Sequence, residues 1–166
     1  MFKKKFLRSK YLTTNPTQTK GVGAALAKRI LNFFPEKRQA IILGLEGNLG
    51  GGKTTFLQGF ARGLGIKEKI LSPTFVLMKK FKIPATKRNL KFKIFTHIDC
   101  YRIKNLKEIL TLDFLEMISN PKNIIAIEWA ERISDILPKN TIWIKFVIDN
   151  QNRRKITLLI KPTKVK

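Results

Sequence analysis

Apolar residues along the chain alternate between two spacings, and each change of spacing marks a new element. Val22, Leu26, Ile30 and Phe33 or Phe34 recur at three- and four-residue steps, as on one face of an amphipathic helix. Asn15-Pro16-Thr17 supplies the start of that helix, with the proline near its first turn, and Pro35-Glu36-Lys37-Arg38 reads as the turn after it. Residues 5–12 fit a short edge strand ahead of it. Ala40-Ile41-Ile42-Leu43-Gly44-Leu45-Glu46 is a continuous apolar run of buried-strand length. Phe56, Leu57, Phe60, Ala61 and Leu64 then return to helical spacing, and Gly63 or Gly65 can close that helix.

Beyond the Ser72-Pro73 turn, residues 75–81 predict a strand. Its return partner spans 90–99, where Phe92, Ile94, Thr96 and Ile98 alternate with Lys91, Lys93, Phe95 and His97. The connector 83–89 carries turn residues, so the pair predicts a hairpin, and a hairpin makes the sheet mixed. Residues 104–118 predict two helical pieces broken near Thr111. Asn123-Ile124-Ile125-Ala126-Ile127-Glu128 predicts an apolar strand that ends on a carboxylate. Residues 131–137 predict a short helix closed by Pro138, and 141–148 and 155–160 predict two final strands joined by a turn. Without repeats or a long linker, residues 1–166 predict a single α/β domain.

Composition narrows the class. Hydrophobic residues make up 43% of the chain, which argues against wholesale disorder. Cys100 and His97 are the sole residues of their types, too few for a structural zinc or an internal disulfide. No apolar run approaches the roughly 20 residues that span a bilayer. The basic start Met1-Phe2-Lys3-Lys4-Lys5-Phe6-Leu7 lacks the apolar core of a signal peptide, so the expected location is cytoplasmic. With 34 Lys and Arg against 11 Asp and Glu, the net charge is +23. Such a field attracts polyanions such as RNA. The cations are scattered from Lys3 to Lys166, however, so a composition bias of the whole chain stands beside a nucleic-acid surface. Charge alone does not decide function.

The chemistry starts between the apolar strand and the second helix. Gly47-Asn48-Leu49-Gly50-Gly51-Gly52-Lys53-Thr54, followed by Thr55, fits the phosphate-loop pattern G-x-x-x-x-G-K-[ST] in its required strand–loop–helix context. Glycines let backbone N–H groups turn inward on a phosphate, and the helix start adds unpaired amides and a positive dipole end. In this pattern Lys53 reaches the β- and γ-phosphates of a nucleotide, and the Thr54 hydroxyl holds Mg²⁺. Hydrolysis also needs an acid at the end of a neighbouring strand. Asp99 and Glu128 both qualify, and Glu128 is the better metal-side acid because it ends the more apolar strand. Thr74, after a rigid turn, is placed to aim a hydroxyl at the γ-phosphate, although a lone threonine is more often structural. Trp129 fits a stacking role and a packing role equally. Cys100 reads as packing, with no nucleophile arrangement beside it.

Four stretches in order complete the pattern: the loop through Phe56, then Ser72-Pro73-Thr74-Phe75, His97-Ile98-Asp99-Cys100-Tyr101-Arg102, and Ile127-Glu128-Trp129-Ala130-Glu131-Arg132. Over roughly residues 19–154 the chain resembles the TsaE (YjeE) family of bacterial P-loop ATPases. The resemblance implies a three-layer P-loop NTPase-like fold, with a mixed, partly antiparallel sheet flanked by helices. It implies ATP and Mg²⁺ as cofactors, with Asn48, Leu49, Gly50, Gly51, Gly52, Lys53, Thr54 and Thr55 around the ATP phosphates and Thr54 and Glu128 on the metal. Lys53, Thr74, Asp99 and Glu128 become the catalytic set. Trp129 stands where the family carries a functionally important tryptophan. An arginine before the last strand, Arg153 or its neighbour Arg154, would touch the nucleotide, with Arg153 taken as the candidate.

Departures from the family pattern are Asn48 for the usual Asp, Gly51 for a frequent Ala, and Ala130 for the usual Pro. Neither loop change removes a phosphate-binding amide. The resemblance further implies slow ATP hydrolysis in concert with TsaB and TsaD proteins. That system places threonylcarbamoyl on the adenosine beside the anticodon, in tRNAs reading codons that begin with adenine. The transfer itself would happen on a partner, and tRNA would be met indirectly through the complex. Two rival readings remain. A small-molecule kinase would need a second-substrate pocket and an arginine-rich lid, for which Lys87-Arg88 is a poor match. A basic RNA-binding module without catalysis would leave the loop, Thr74, Asp99 and Glu128 unexplained.

Overall fold

The two most apolar runs of the sequence lie side by side in the middle of a sheet. They form β2 (Ile41–Glu46) and β5 (Asn123–Glu128), which pair in parallel, with Ile41 opposite Ile124 and Leu45 opposite Glu128. Every residue of β5 is buried, as a strand covered on both faces requires. The computed structural model describes residues 8–33, 38–71, 77–87 and 89–160. The other strands are β1 (Arg8–Thr13), β3 (Met78–Lys82), β4 (Ile94–Asp99), β6 (Ile142–Ile148) and β7 (Arg154–Ile160). The sheet runs β1-β7-β6-β2-β5-β4-β3. β4, β5, β2 and β6 are parallel, while β3 at one edge and β7 and β1 at the other run antiparallel to their neighbours. The predicted mixed α/β sheet is therefore the one formed.

The helices are α1 (Pro16–Phe33), α2 (Lys53–Gly63), α3 (Leu106–Leu110) and α4 (Phe114–Ser119), with a 3₁₀ segment at Ala130–Ile136. α1 starts where predicted, with the Asn15 carbonyl of the side chain accepting from the Gln18 amide at 3.0 Å. Leu26, Ala27 and Ile30 of α1 and Phe56, Leu57 and Phe60 of α2 cover one face of the sheet, against Leu43, Phe95 and Phe146. α3, α4 and the 3₁₀ segment cover the other face around Ile42, Ile98, Cys100, Phe114 and Ile127. This gives three layers. The break near Thr111 is present, and Asn105 caps α3 through a reciprocal bond set with Glu108.

One expectation shifts. The hairpin pairs β3 with β4 as predicted, but its second strand begins at Ile94 rather than residue 90. Asn89 explains the delay. Its side chain donates to the Pro84 and Phe92 carbonyls and accepts from the Phe92 amide, which locks residues 89–92 into a turn. Within β4, Phe95, Thr96, His97 and Ile98 are all fully buried between β3 and β5. On the first strand, β3 is described from Met78 onward. The predicted start at residue 75, the Ser72-Pro73 turn and Thr74 lie outside the described residues, as does the beginning of the predicted strand at 5–12.

Candidate functional site

The carboxyl ends of the neighbouring strands β2, β5 and β4 lie together at one end of the sheet, the position where open α/β sheets place ligands. From β2 the chain enters the glycine loop. Gly50 and Gly52 take positive φ values of 74° and 98°, which an L side chain adopts only under strain, so glycine permits the curl there. Gly52 is also the N-cap of α2 and brings no side-chain cap, leaving the first-turn amides facing the loop. Leu49, Gly50, Gly51, Gly52, Lys53, Thr54 and Thr55 line a cleft of about 290 Å³ together with Asp99, Tyr101, Glu128 and Trp129. Asn48, the remaining loop residue of the predicted set, contributes its carbonyl beneath them.

Lys53 is buried and folds back on its own loop. Its Nζ donates to the Gly47 and Asn48 carbonyls, the latter at 3.0 Å, and lies 4.0 Å from the centre of the Trp129 ring. Burial lowers its pKa below that of a free lysine, while the charges of Glu128, Glu131 and Asp99 pull the other way. Glu128, 3% exposed at the end of β5, accepts from the Thr54 hydroxyl at 2.9 Å on one oxygen and 3.0 Å on the other. Asp99 sits opposite Glu128 across the β4–β5 pair and accepts from the Tyr101 amide at 2.9 Å.

The next residue, Trp129, has φ 59°, a left-handed conformation rare for a bulky side chain. That turn at the strand end brings the indole over Lys53. Tyr101 stacks obliquely on it with ring centres 5.0 Å apart, and the Arg132 guanidinium lies 5.7 Å and 5.8 Å from the two ring centres.

Most of the sequence-predicted site therefore converges. Lys53, Thr54, Asp99, Glu128 and Trp129 share one cleft, while Thr74 lies outside the described residues. The two candidate arginines lie in different places. Arg153 turns its guanidinium to Asp149, with bonds of 2.8 Å and 2.9 Å. Arg154 is the one seated on the loop, its side chain 3.7 Å from where a Cβ on Gly52 would be and its guanidinium 3.4 Å from the Gly50 carbonyl. Arg154 opens β7 opposite Ile148, whereas Arg153 lies before the strand, in the turn where its amide donates to the Asp149 carboxylate. Tyr101 and Arg132 escaped the sequence reading as site residues because their signal, an aromatic and a cation near Trp129, exists only in the folded chain. Cys100 is fully buried in the second core, where burial raises its thiol pKa to about 12.

A profile of the family described as "Threonylcarbamoyl adenosine biosynthesis protein TsaE" matches residues 13–156, which contain every cleft residue named above. The chain belongs to the TsaE family. Among its TsaE relatives, the tRNA threonylcarbamoyladenosine biosynthesis protein TsaE of Bacillus subtilis (strain 168) is 35% identical over 148 residues, 89% of this chain and 83% of that one. The protein of the same name from Haemophilus influenzae is 32% identical over 122 residues, covering 74% and 71% of the two chains. The crystal structure of Bacillus subtilis YdiB superposes with a TM-score of 0.63 at 30% identity, over 93% of this chain and 86% of that one. By its name the TsaE family serves threonylcarbamoyladenosine biosynthesis, a branch of tRNA processing.

Proposed function

We propose that this chain binds ATP with Mg²⁺ in the cleft and hydrolyses it slowly, as the ATPase of a tRNA-modifying assembly. The observation that carries the reading is the Thr54–Glu128 pair at the start of α2, beside a buried lysine and uncapped amides. Two hard oxygen donors in contact fit Mg²⁺ by their chemistry. The bound ion would supply charge neutralisation for the phosphates. Lys53 and the loop amides hold the phosphate oxygens, Arg154 flanks the loop, and Asp99 is the acid left to orient the attacking water. Trp129 covers Lys53, with Tyr101 packed against the indole.

The partners in this reading are TsaD and TsaB proteins. The assembly places threonylcarbamoyl on the adenosine beside the anticodon, and this chain does not itself transfer the group. ATP binding and hydrolysis would reset the assembly between turnovers in the cytoplasm. Among the described residues no helix is long and apolar enough to cross a membrane. Turnover of ATP by the purified protein, alone and with TsaB and TsaD proteins, tests it. The expected result is slow basal hydrolysis that changes when the partners are added and disappears in Lys53→Ala. Hydrolysis indifferent to the partners but accelerated by a small acceptor molecule would make the chain a kinase.

A further inference from the structure

Directly beneath the carboxylate of Glu128, on the neighbouring strand, lies the chain's single histidine. His97 is 0% exposed, and its Nε2 is 2.9 Å from Glu128 Oε1. Its Nδ1 has no hydrogen-bond partner among the described residues. A buried polar nitrogen without a partner is costly, and an apolar side chain in the same space would avoid that cost. What the imidazole contributes is therefore at the other nitrogen. A carboxylate accepts, so Nε2–H is the donor and Nδ1 is bare.

The two oxygens of Glu128 are held unequally. Oε1 receives both His97 and Thr54, whereas Oε2 receives Thr54. His97 and Asp99 lie on the same face of β4 as Phe95, which packs in the α1–α2 core, so the bond reaches Glu128 from the core side. We propose that His97 is a positioning residue. Its Nε2–H pins Oε1 from below and so presents the carboxylate to Thr54 and the cleft in one orientation. This inference rests on the reading of Thr54 and Glu128 as the Mg²⁺ ligands. Partners that orient a metal ligand commonly matter by about 10- to 100-fold in metal affinity.

Parent protein, His97→Leu and His97→Gln are compared by thermal melting, by binding of a fluorescent ATP analogue in EDTA, and by the Mg²⁺ concentration that half-saturates turnover. The expected result is that His97→Leu binds the analogue in EDTA like the parent but needs about 10- to 100-fold more Mg²⁺. His97→Gln, whose amide can donate from the position of Nε2, recovers most of the loss. A folded His97→Leu with the parent's Mg²⁺ requirement overturns the role of His97 and leaves the ATPase reading intact. A parent whose nucleotide binding and turnover ignore Mg²⁺ overturns the metal reading, and this inference with it.

Should His97→Leu fail to fold, ¹⁵N NMR of the parent decides, because one histidine gives one unambiguous pair of ring nitrogens. The expected spectrum is the Nε2–H tautomer, with its signal displaced in Glu128→Ala. An Nδ1–H tautomer, or a signal indifferent to Glu128→Ala, overturns the proposal.

Discussion

Lys53 carries a charge into a buried place where its partners only partly compensate the loss of water. Two carbonyls, the Trp129 face and three acids favour the charged form, yet burial dominates and the pKa falls. The unfolded chain then holds this proton to higher pH than the folded one. Between the lowered pKa and 10.5 the unfolded state binds more protons, so the cost of the buried charge is relieved as pH rises through that window. Lys53→Met should therefore melt at the same temperature as the nucleotide-free parent or a few degrees higher at pH 7.5. The difference should shrink towards pH 10, and ATP binding should be lost. Scanning calorimetry across this pH range checks it, and a variant that melts lower at pH 7.5 would refute the electrostatic account. The lysine and its loop were legible in the spacing of the sequence. Its cover was not, because Trp129 reaches it through a left-handed turn at the end of another strand.

α1 and α2 owe their close approach to three glycines within the helices, Gly23, Gly59 and Gly63. A Cβ on Gly59 would run into the backbone of Lys20, and one on Gly23 into the backbone of Phe56. Gly21, by contrast, faces open space on the exposed side of α1. Gly59→Ala should cost about 2 kcal/mol or more, since backbone cannot yield as a side chain can. Gly21→Ala should stabilise by roughly 0.5–1 kcal/mol through helix propensity alone. Urea unfolding of the two variants checks both signs, and equal effects would mean that the helices are not in this contact. Periodicity located both helices within a residue or two. It could not tell a spacer glycine from a tolerated one, because that depends on which helix lies across. β4 teaches the same lesson. It lies between β3 and β5 with helices over both faces, so both sets of its side chains are buried, which alternation along the strand does not reveal.

At the scale of the whole molecule, a net charge of +23 on 166 residues repels itself. The acids are unevenly shared: Glu108, Asp113, Glu116, Glu131 and Asp135 lie on the α3, α4 and 3₁₀ side, while α1 has none. Going from about 10 mM to about 150 mM salt shortens the screening length from about 30 Å to about 8 Å. The melting temperature of the nucleotide-free protein should rise over that range of sodium chloride. A flat or falling curve would show that local ion pairs such as Lys145–Glu46 and Arg153–Asp149 outweigh the global repulsion.

The sequence by itself determined the element order, the loop between β2 and α2, and the two carboxylates at strand ends. These are set by spacing along the chain, through apolar periodicity, glycine placement and the chemistry of each residue type. Which side chains meet was decided by the tertiary structure. Parallel pairing of β2, β5 and β4 brings Thr54, Glu128, His97 and Asp99 together from segments far apart in the chain. The turn before β7 ties Arg153 to Asp149 and leaves Arg154 beside the loop. Strand register and the facing of neighbouring residues follow from the packing of the whole sheet, and no local stretch of sequence contains them.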